Sequence, residues 1–237
     1  MEMDYEGFLE LVRQRRSVRS FKADPIPDEQ VDKVVEAARF APSGFNLQPW
    51  EFVIVKDGEL KNRIVQYIRD VVTVTLRMEA ARESWQGAQL PTSPPPMGFA
   101  AAPVFIIPFG DVRTRDGLPM FHRYSEESWN RTFTSSLASA FIYMHLAATS
   151  LGLGSQWVSA VTQPAAACLI KQLLGIPAPL QIYDMMALGY PNMTPPPRLV
   201  RSREEMVHRD ACGVDDFKND AQVKDFIFKI RNPQAPR

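Results

Sequence analysis

Residues 132–170 contain no Asp, Glu, Lys or Arg, although charged residues make up 23% of this 237-residue chain. Charged side chains are almost never fully buried, so a long segment without them is expected to lie inside the fold. Gly152, Gly154 and Pro164 interrupt the segment, and it has no run of about 18 consecutive apolar residues that would span a membrane. We therefore predict a helix over residues 136–151 that is buried on most sides, followed by a loop or strand.

The overall composition excludes several classes of protein. Hydrophobic residues make up 45% of the chain, which is enough for one sizeable core and excludes a disordered or fibrous protein. The 27 Lys and Arg residues balance 27 Asp and Glu residues, so no global field favours nucleic acid or a membrane surface as a partner. Cys168 and Cys212 are too few for a disulfide scaffold, and the acidic N-terminus does not resemble a signal peptide. We expect a cytoplasmic protein.

The periodicity of the chain predicts an α+β fold with one sheet. A helix over residues 8–15 is followed by irregular chain over residues 17–27, and Asp28 is a plausible N-cap for a second helix. Proline clusters at residues 91–96 and 191–197 mark connections, because proline is excluded from helix interiors and central strands. Helix-prone sequence occupies residues 61–86, and runs rich in aromatic and β-branched residues predict strands at 50–55, 104–107 and 181–188.

Five cations lie within ten residues that contain no acid, at the point where the first helix gives way to extended chain: Arg13, Arg15, Arg16, Arg19 and Lys22. One interpretation is a solvated basic helix end, favoured by the helix dipole. The other is an anion site, because guanidinium groups beside a serine hydroxyl suit a phosphate and neighbouring polyol oxygens. Arg198, Arg201 and Arg203 form a second basic cluster, which could supply further positive charge to the same phosphate.

The loop between the second helix and the first strand has the sequence PSGFNLQPW, at residues 42–50. Its small and amide side chains are typical of a helix-to-strand turn in which Ser and Asn satisfy local backbone groups. They also suit a loop whose backbone and amides contact a planar heterocycle. The residues alone leave both interpretations open.

These two segments resemble the nitroreductase-like family of FMN flavoproteins. The resemblance is carried by RRSVRSF at residues 15–21 and EAARFAPSGFNLQPWEFV at residues 36–53, and it spans residues 8 to about 210. Shorter matches are APV at 102–104, LGLGSQW at 151–157, LGYP at 188–191, and Arg201 ahead of EEMVH. The family implies a mostly antiparallel central sheet flanked by helices, in an interlocked homodimer that holds FMN at the subunit interface.

The resemblance also implies roles for individual residues. Arg15, Ser17 and Arg201 would hold the phosphate and ribityl oxygens, with Arg16 contributing, and Arg19 would lie near the pyrimidine edge of the flavin. The loop would reach the flavin of the other subunit through Ser43, Gly44 and Asn46, and Gln48 would approach the ring carbonyls. Val158 and Ser159 would pass beside flavin N5. The implied cofactor-binding set is Arg15, Arg16, Ser17, Arg19, Pro42, Ser43, Gly44, Asn46, Gln48, Val158, Ser159 and Arg201.

The chemistry implied by the family takes place on FMN and needs no protein nucleophile or metal. NADH or NADPH would transfer a hydride to N5, and an electron-poor small molecule, such as a nitroaromatic, quinone or enone, would then accept it in a ping-pong cycle. The alternatives are a dehalogenase, a flavin-cleaving enzyme or a tailoring oxidase of the same fold, and a non-enzymatic flavin-binding protein. His145, in the apolar helix, is expected to be a core histidine rather than a catalytic one.

The segments outside the family match are expected to carry specificity. We treat residues 1–237 as one domain with a lid-like insertion at about 69–97 and a C-terminal extension at about 211–237. The part of the insertion from Val71 to Met97, with Trp85 and the proline run, would cover the flavin, and residues 121–124 would add aromatic and cationic contacts; the alternative is surface or dimer packing. The acid, tyrosine and lysine with which an iodotyrosine deiodinase binds its amino acid are not matched here, so that subfamily ranks lower.

Overall fold

The computed structural model describes residues 4–82, 93–94, 96–196 and 198–232. Within them the helices are α1 (Tyr5–Gln14), α2 (Asp28–Arg39), α3 (Gly58–Met78), α4 (Met120–Tyr124), α5 (Glu126–Ser150), α6 (Pro164–Leu174) and α7 (Asp220–Arg231). The strands are β1 (Trp50–Val55), β2 (Val104–Asp111), β3 (Gly154–Val158), β4 (Leu180–Ile182) and β5 (Met185–Gly189). The predicted α+β class is confirmed.

The chain folds into two compact units. The first comprises Met1–Val71 and Pro96–Pro195, and it contains all five strands. The second comprises Val72–Pro95 and Pro196–Arg237, and it contains α7. The expectation of a single domain with an insertion and an extension stays a prediction.

The first unit is built on an antiparallel sheet with the strand order β1-β2-β5-β3, and β4 pairs with β2 beside β5. From Val104 to Gly110 every residue of β2 is buried, as expected for a strand with neighbours on both edges and helices against it. The predicted mostly antiparallel sheet is therefore confirmed. The predicted strand at residues 50–55 has the same bounds as β1.

Pro108 lies inside β2, although proline is normally excluded from a central strand because it cannot donate a hydrogen bond to the ladder. It pairs with Phe52 of β1, and its carbonyl oxygen accepts a hydrogen bond from the Tyr183 N–H at 2.9 Å. The amide and carbonyl of one residue point to the same edge of an antiparallel strand. Pro108 has no N–H, and the place where an N–H would point is the gap between β4 and β5, where the ladder is already interrupted. Strand β2 therefore continues through Pro108 and ends four residues beyond its predicted end.

Because of the gap between β4 and β5, the prediction of one strand over residues 181–188 is wrong. The segment forms β4 and β5, and Tyr183 and Asp184 interrupt them. The run of apolar residues in the sequence did not reveal the break. Asp184 is nevertheless buried, with 7% of its surface exposed.

Helix α5 contains the uncharged segment and forms the centre of the core. Phe141 and Met144 on its inner face are fully buried, and α2 packs against it through Val31, Val34 and Ala38. The predicted buried helix is confirmed, but it begins at Glu126 rather than at residue 136. Its charged first turns, with the Ser125 side chain as the cap, carry no apolar signal.

The N-terminal helices agree with the predictions apart from their starts. Asp4 caps α1, which ends at Gln14 before irregular chain. Asp28 is the first residue of α2 rather than its N-cap, so that prediction is wrong. Pro27 occupies the cap position and its carbonyl accepts the Gln30 and Val31 amides, while the Asp28 carboxylate pairs with Lys56 instead.

The helix-prone segment at residues 61–86 forms α3 and a 3₁₀ turn at Glu79–Ala81. Trp85, Pro91 and Pro95 of the predicted lid lie outside the described residues, so the lid stays a prediction. In the part of the chain that is described, no helix has the length and apolar character needed to cross a membrane.

Candidate functional site

The basic segment after α1 is anchored to the sheet through its backbone. Ser17 forms a parallel bridge with Ser155 of β3, and the Val18 N–H donates to the Ser155 carbonyl at 3.0 Å. Five residues after Ser17, the Lys22 N–H donates to the Tyr190 carbonyl just past the end of β5. Residues 15–22 therefore cross from the start of β3 to the end of β5, and we name them the basic strap.

The strap is held in place by close backbone contact. A Cβ added at Gly98 would lie 1.6 Å from the Arg19 carbonyl oxygen, and one at Gly154 would lie 2.8 Å from the Val18 side chain. Only glycine therefore fits at either position without moving the strap. The positions of Arg15, Arg16 and Ser17 at this edge of the sheet follow from these contacts.

His145 of α5 lies beneath the start of the strap. Only 1% of its surface is exposed, its Nδ1 is 2.7 Å from the Ser155 Oγ, and its Nε2 has no hydrogen-bond partner within the described residues. Burial, and secondarily the positive charge of Arg15, lower the pKa of His145 to about 3. The imidazole is therefore neutral at ordinary pH. The expected burial of His145 in the core is confirmed, although only one of its two ring nitrogens is hydrogen-bonded within the described residues.

The loop between α2 and β1 is fixed against the middle of α5. The Gly44 N–H donates to Ser136 Oγ at 3.1 Å, and Ser139 Oγ donates to the Pro42 carbonyl at 2.6 Å. Within the loop, Ser43 Oγ accepts from the Gln48 N–H at 3.0 Å. A Cβ added at Gly44 would lie 2.4 Å from the Thr132 methyl group, so the loop requires glycine there.

Three residues of this loop have left-handed backbone without being glycine. The φ angles of Phe45, Asn46 and Gln48 are 55°, 54° and 45°, and the Gln48 amide donates to Asn46 Oδ1 at 3.0 Å. Such conformations cost of order 1–3 kcal/mol each and cluster at functional sites. This strain, together with the exposure of Asn46, favours a ligand-contacting loop over an ordinary turn.

Within one chain the two predicted groups contact different parts of α5. The loop meets it at Ser136 and Ser139, whereas the strap reaches it through Ser155 and His145, roughly 9–14 Å further along the helix. The structure therefore gathers Arg15, Arg16 and Ser17 at one place and residues 42–48 at another. That the loop serves the partner's flavin stays a prediction.

The other end of β3 carries the residues predicted to lie near N5. Val158 is buried and pairs with Met185, whereas Ser159 is exposed at the start of a 3₁₀ turn. From Ser155, next to the strap, to Ser159 the strand covers roughly 13 Å at about 3.3 Å per residue. The basic strap and Ser159 thus lie at opposite ends of β3.

An aromatic cluster lines this strand on the α5 side. Trp157 stacks on His145 with ring centroids 5.5 Å apart, and its edge contact with Phe141 has a centroid distance of 4.5 Å. The indole remains 38% exposed, and its Nε1–H donates to the Asp184 carboxylate at 2.7 Å. Burial is the main cause that raises the pKa of Asp184, to about 6, against the opposing hydrogen bonds from Trp157 and Ser159.

A family model described as the nitroreductase family matches residues 12–190, which is most of the chain. The chain belongs to the nitroreductase family. The matched range includes the strap, the loop and all of β3, so the family resemblance noted from the sequence motifs is confirmed.

Individual relatives of this nitroreductase-family chain differ in their activities. It is 31% identical over 199 residues to 5,6-dimethylbenzimidazole synthase of Rhodospirillum rubrum, covering 83% of this chain and 88% of that one. It is 30% identical over 205 residues to iodotyrosine deiodinase 1 of Rattus norvegicus, covering 81% of this chain but 65% of the deiodinase. The chain thus spans about two thirds of the length of that relative.

The fold is shared with a solved nitroreductase with bound FMN from Bacteroides fragilis. The TM-score is 0.60 at 21% sequence identity, and the match covers 85% of this chain and 98% of that one. At this identity the likeness shows the nitroreductase fold alone.

Arg201 lies in the second compact unit of this nitroreductase-family chain, among its own acidic and aromatic neighbours. Its Nη2 donates to the Glu205 carbonyl at 2.6 Å, its Nε lies 3.6 Å from the Glu205 carboxylate, and its guanidinium lies 6.0 Å from the Phe226 ring centroid. These groups line a cavity of about 420 Å³. The predicted role of Arg201 at a phosphate stays a prediction.

Helix α4 carries the aromatic segment predicted to contact substrate. The Phe45 and His122 ring centroids lie 5.0 Å apart, so α4 contacts the strained loop, and Phe121 is 77% exposed. Arg123 forms an ion pair with Asp116 at 2.7 Å, which partly neutralises the cation expected from this segment. Asp184, which accepts a hydrogen bond from Trp157, is a candidate site residue that the sequence analysis missed, although an acid inside an apolar run was a visible signal.

Proposed function

We propose that this chain is an FMN-dependent oxidoreductase that transfers hydride equivalents from NADH or NADPH to an electron-poor small molecule. The observation that carries the proposal is the arrangement along β3, where cationic and hydroxyl groups lie at one end and an exposed hydroxyl beside an exposed indole lies roughly 13 Å away. That spacing suits an elongated ligand with an anionic group at one end and a planar ring at the other.

The residues present fit FMN by their chemistry. The guanidinium groups of Arg15 and Arg16 and the hydroxyl of Ser17 are suitable donors for a phosphate, and the strap that carries them is fixed by its backbone. Ser159 at the far end can exchange a hydrogen bond with a ring nitrogen. When bound, FMN would supply a reversible two-electron store between NAD(P)H and the acceptor.

We infer that the active form is a homodimer. The outward face of α5 carries Ile142 and Tyr143, both more than one third exposed, within the uncharged part of the helix. A monomer normally places charge on such a face, so an apolar helix face without charge suits a subunit interface. A partner subunit docked there would bring its own loop, with Ser43, Gly44 and Asn46, towards the cofactor.

A second candidate is different chemistry on the same flavin. The identities of about 30% to a deiodinase and to a 5,6-dimethylbenzimidazole synthase favour reductive dehalogenation or flavin cleavage as that candidate. In this case the flavin would accept electrons from a chemical reductant but would turn over nicotinamide poorly.

Anaerobic half-reactions distinguish the two candidates. The proposed function predicts that NADH or NADPH bleaches the flavin band at about 450 nm and that a nitroaromatic, a quinone or an enone restores it. If dithionite bleaches the flavin, both nucleotides fail, and 3-iodotyrosine restores the band while releasing iodide, the second candidate replaces the first. Failure to bind FMN at all would contradict both.

A further inference from the structure

Asp184 is a buried acid that the proposed hydride transfer does not use. It lies at the break between β4 and β5, and only 7% of its surface is exposed. Burying a carboxylate is costly unless its oxygens are hydrogen-bonded. The hydrogen-bond partners of Asp184 therefore indicate what offsets the cost of burying its carboxylate.

Both side-chain partners of Asp184 come from the far end of β3. The Trp157 Nε1–H donates to Asp184 Oδ2 at 2.7 Å. Val158 pairs with Met185, so the β3–β5 register brings the next two residues, Ser159 and Asp184, opposite each other, and hydrogen bonding from the Ser159 side chain acts to lower the pKa of the carboxyl group. Trp157 has a single donor and no acceptor, so its bond favours the ionised acid. Ser159 is different, because a hydroxyl can either donate or accept.

The other titratable group at this position is Tyr183, the residue before Asp184 on the same connection. Burial, and secondarily the charge of Asp184, raise the pKa of Tyr183 to about 12. Tyr183 therefore stays neutral across the range in which Asp184 ionises. Among the described residues, the polar groups that face Asp184 from neighbouring elements are Trp157 of β3 and Ser159 of the following turn, and neither carries a charge.

We propose that Asp184 is a positioning residue that sets the direction of the Ser159 hydroxyl and thereby tunes the redox centre beside it. This inference rests on the proposed function, which places Ser159 at flavin N5. An ionised Asp184 accepts a hydrogen bond from the Ser159 hydroxyl, so the serine oxygen presents only lone pairs to the site. A protonated Asp184 can donate to Ser159, which frees the serine O–H to donate into the site.

The two states suit different partners at N5. A serine that presents lone pairs accepts a hydrogen bond from an N–H group, as in reduced flavin, whereas a free O–H donates to the bare nitrogen of oxidised flavin. Protonation of Asp184, expected near pH 6, is thus coupled to the redox state. A midpoint potential plotted against pH then changes slope at the pKa of Asp184.

The first test uses the full chain without FMN and reads the indole directly. Because Trp157 bonds to the carboxylate, its fluorescence is expected to show an inflection near pH 6. The inflection should disappear in Asp184→Asn and in Trp157→Phe. If it persists unchanged in Asp184→Asn, Asp184 does not titrate there and the proposal is wrong.

The second test measures the FMN midpoint potential from pH 5 to pH 8. The wild type is expected to change slope near pH 6, and Asp184→Asn and Ser159→Ala should each lose the break. Ser159→Thr keeps the hydroxyl and should retain it. Glu51→Gln, at an exposed acid of β1, is the matched control and should behave as the wild type.

The outcomes separate this inference from the proposed function. If the chain binds FMN and Asp184→Asn keeps the wild-type break, Asp184 is merely structural and the inference fails while the proposed function stands. If Ser159→Ala keeps it, the carboxylate acts by its charge and not through Ser159, which also overturns the inference. A chain that holds no FMN overturns the proposed function and this inference together.

Discussion

At the residue scale, His145 and Asp184 are buried groups whose effects on stability have opposite dependences on pH. The folded state lowers the pKa of His145 from 6.5 to about 3, so the unfolded chain binds the extra proton and stability falls as pH drops below about 6.5. It raises the pKa of Asp184 from 3.8 to about 6, so stability is lost as pH rises from about 4 through 6. Between pH 4 and 6 the two effects oppose each other.

Asp184→Asn is expected to isolate one of these effects. Asparagine keeps the shape and a hydrogen-bonding oxygen without a charge to bury, so the variant should be more stable than the wild type at pH 7. The advantage should shrink by about 1.4 kcal/mol for each pH unit between 6 and 4. Urea denaturation at a series of pH values measures this difference. An advantage that is constant with pH would show that Asp184 keeps an ordinary pKa.

Arg15→Ala tests the basic strap. Removing a guanidinium from a phosphate leaves charge poorly compensated, so the free energy of FMN binding should weaken by about 2–5 kcal/mol. Arg13→Ala is the matched control, because Arg13 is exposed in the last turn of α1. Flavin fluorescence titration gives both dissociation constants. Equal losses in the two variants would favour a solvated basic helix end over a phosphate site.

At the element scale, the loop from Ser43 to Gln48 keeps a strained backbone conformation that lowers the stability of the fold. Its left-handed residues are retained by hydrogen bonds to α5 and within the loop rather than by glycine. Strain that the surrounding contacts hold in place is a common property of ligand-binding segments. The loop is therefore where stability and cofactor binding are expected to respond in opposite directions.

Gln48→Gly is expected to show this opposition. Glycine adopts a φ of 45° without a steric penalty, so the free energy of unfolding should rise by about 1 kcal/mol. Loss of the amide should weaken FMN binding at the same time. Gln48→Ala removes the amide without relieving the strain, so it should weaken binding with no gain in stability. Thermal denaturation measures the stability of each variant, and flavin titration measures its FMN affinity. Equal stability of the two variants would refute the prediction.

Gly98→Ala tests the contact that holds the strap. The added methyl group would overlap the Arg19 carbonyl, so either the strap or the 3₁₀ turn Gly98–Ala101 must move, at a cost of about 3 kcal/mol or more. The matched control is Gly58→Ala, where an added Cβ meets nothing within 4 Å. We expect FMN affinity and stability to fall in the first variant alone. A fully stable Gly98→Ala protein would contradict the close approach.

Sequence patterns predicted some elements of the fold with their observed bounds and missed others. Strand β1 was predicted with its observed bounds, because aromatic and β-branched residues fill it from Trp50 to Val55. Helix α6 was not predicted, although Pro164 at its first turn and Gly175 at its end, with φ of 67°, are ordinary boundary signals. Its first seven residues carry no charge, which concealed its start within the uncharged segment.

The candidate site was predictable only through the family resemblance. The motifs identified Arg15, Ser17 and Ser159, but composition and periodicity could not show that they lie at opposite ends of one strand. Asp184 was not predicted, because its burial depends on the break between β4 and β5, which in turn depends on the pairing of each with β2. The acid inside an apolar run was a signal at this position, but the tertiary pairings that create the break and bury Asp184 leave no local signal.

At the scale of the whole molecule, the outward face of α5 is the proposed subunit interface, so FMN binding is expected to depend on dimer formation. Ile142→Asp places a charge on the proposed subunit interface, and a buried unpaired charge should prevent association. We expect a monomer that retains its secondary structure but loses most of its FMN affinity, because the partner's loop is absent. Sedimentation velocity and flavin titration measure the two effects. Glu36→Lys, on an exposed position of α2, is the control and should remain a dimer.

The most direct measurement of the central claim is the absorbance spectrum of the purified protein before and after NADPH is added without oxygen. The account predicts a flavin spectrum with one FMN per protomer, which loses its 450 nm band with NADPH or, failing that, with NADH. A colourless protein that stays colourless after incubation with FMN would contradict it.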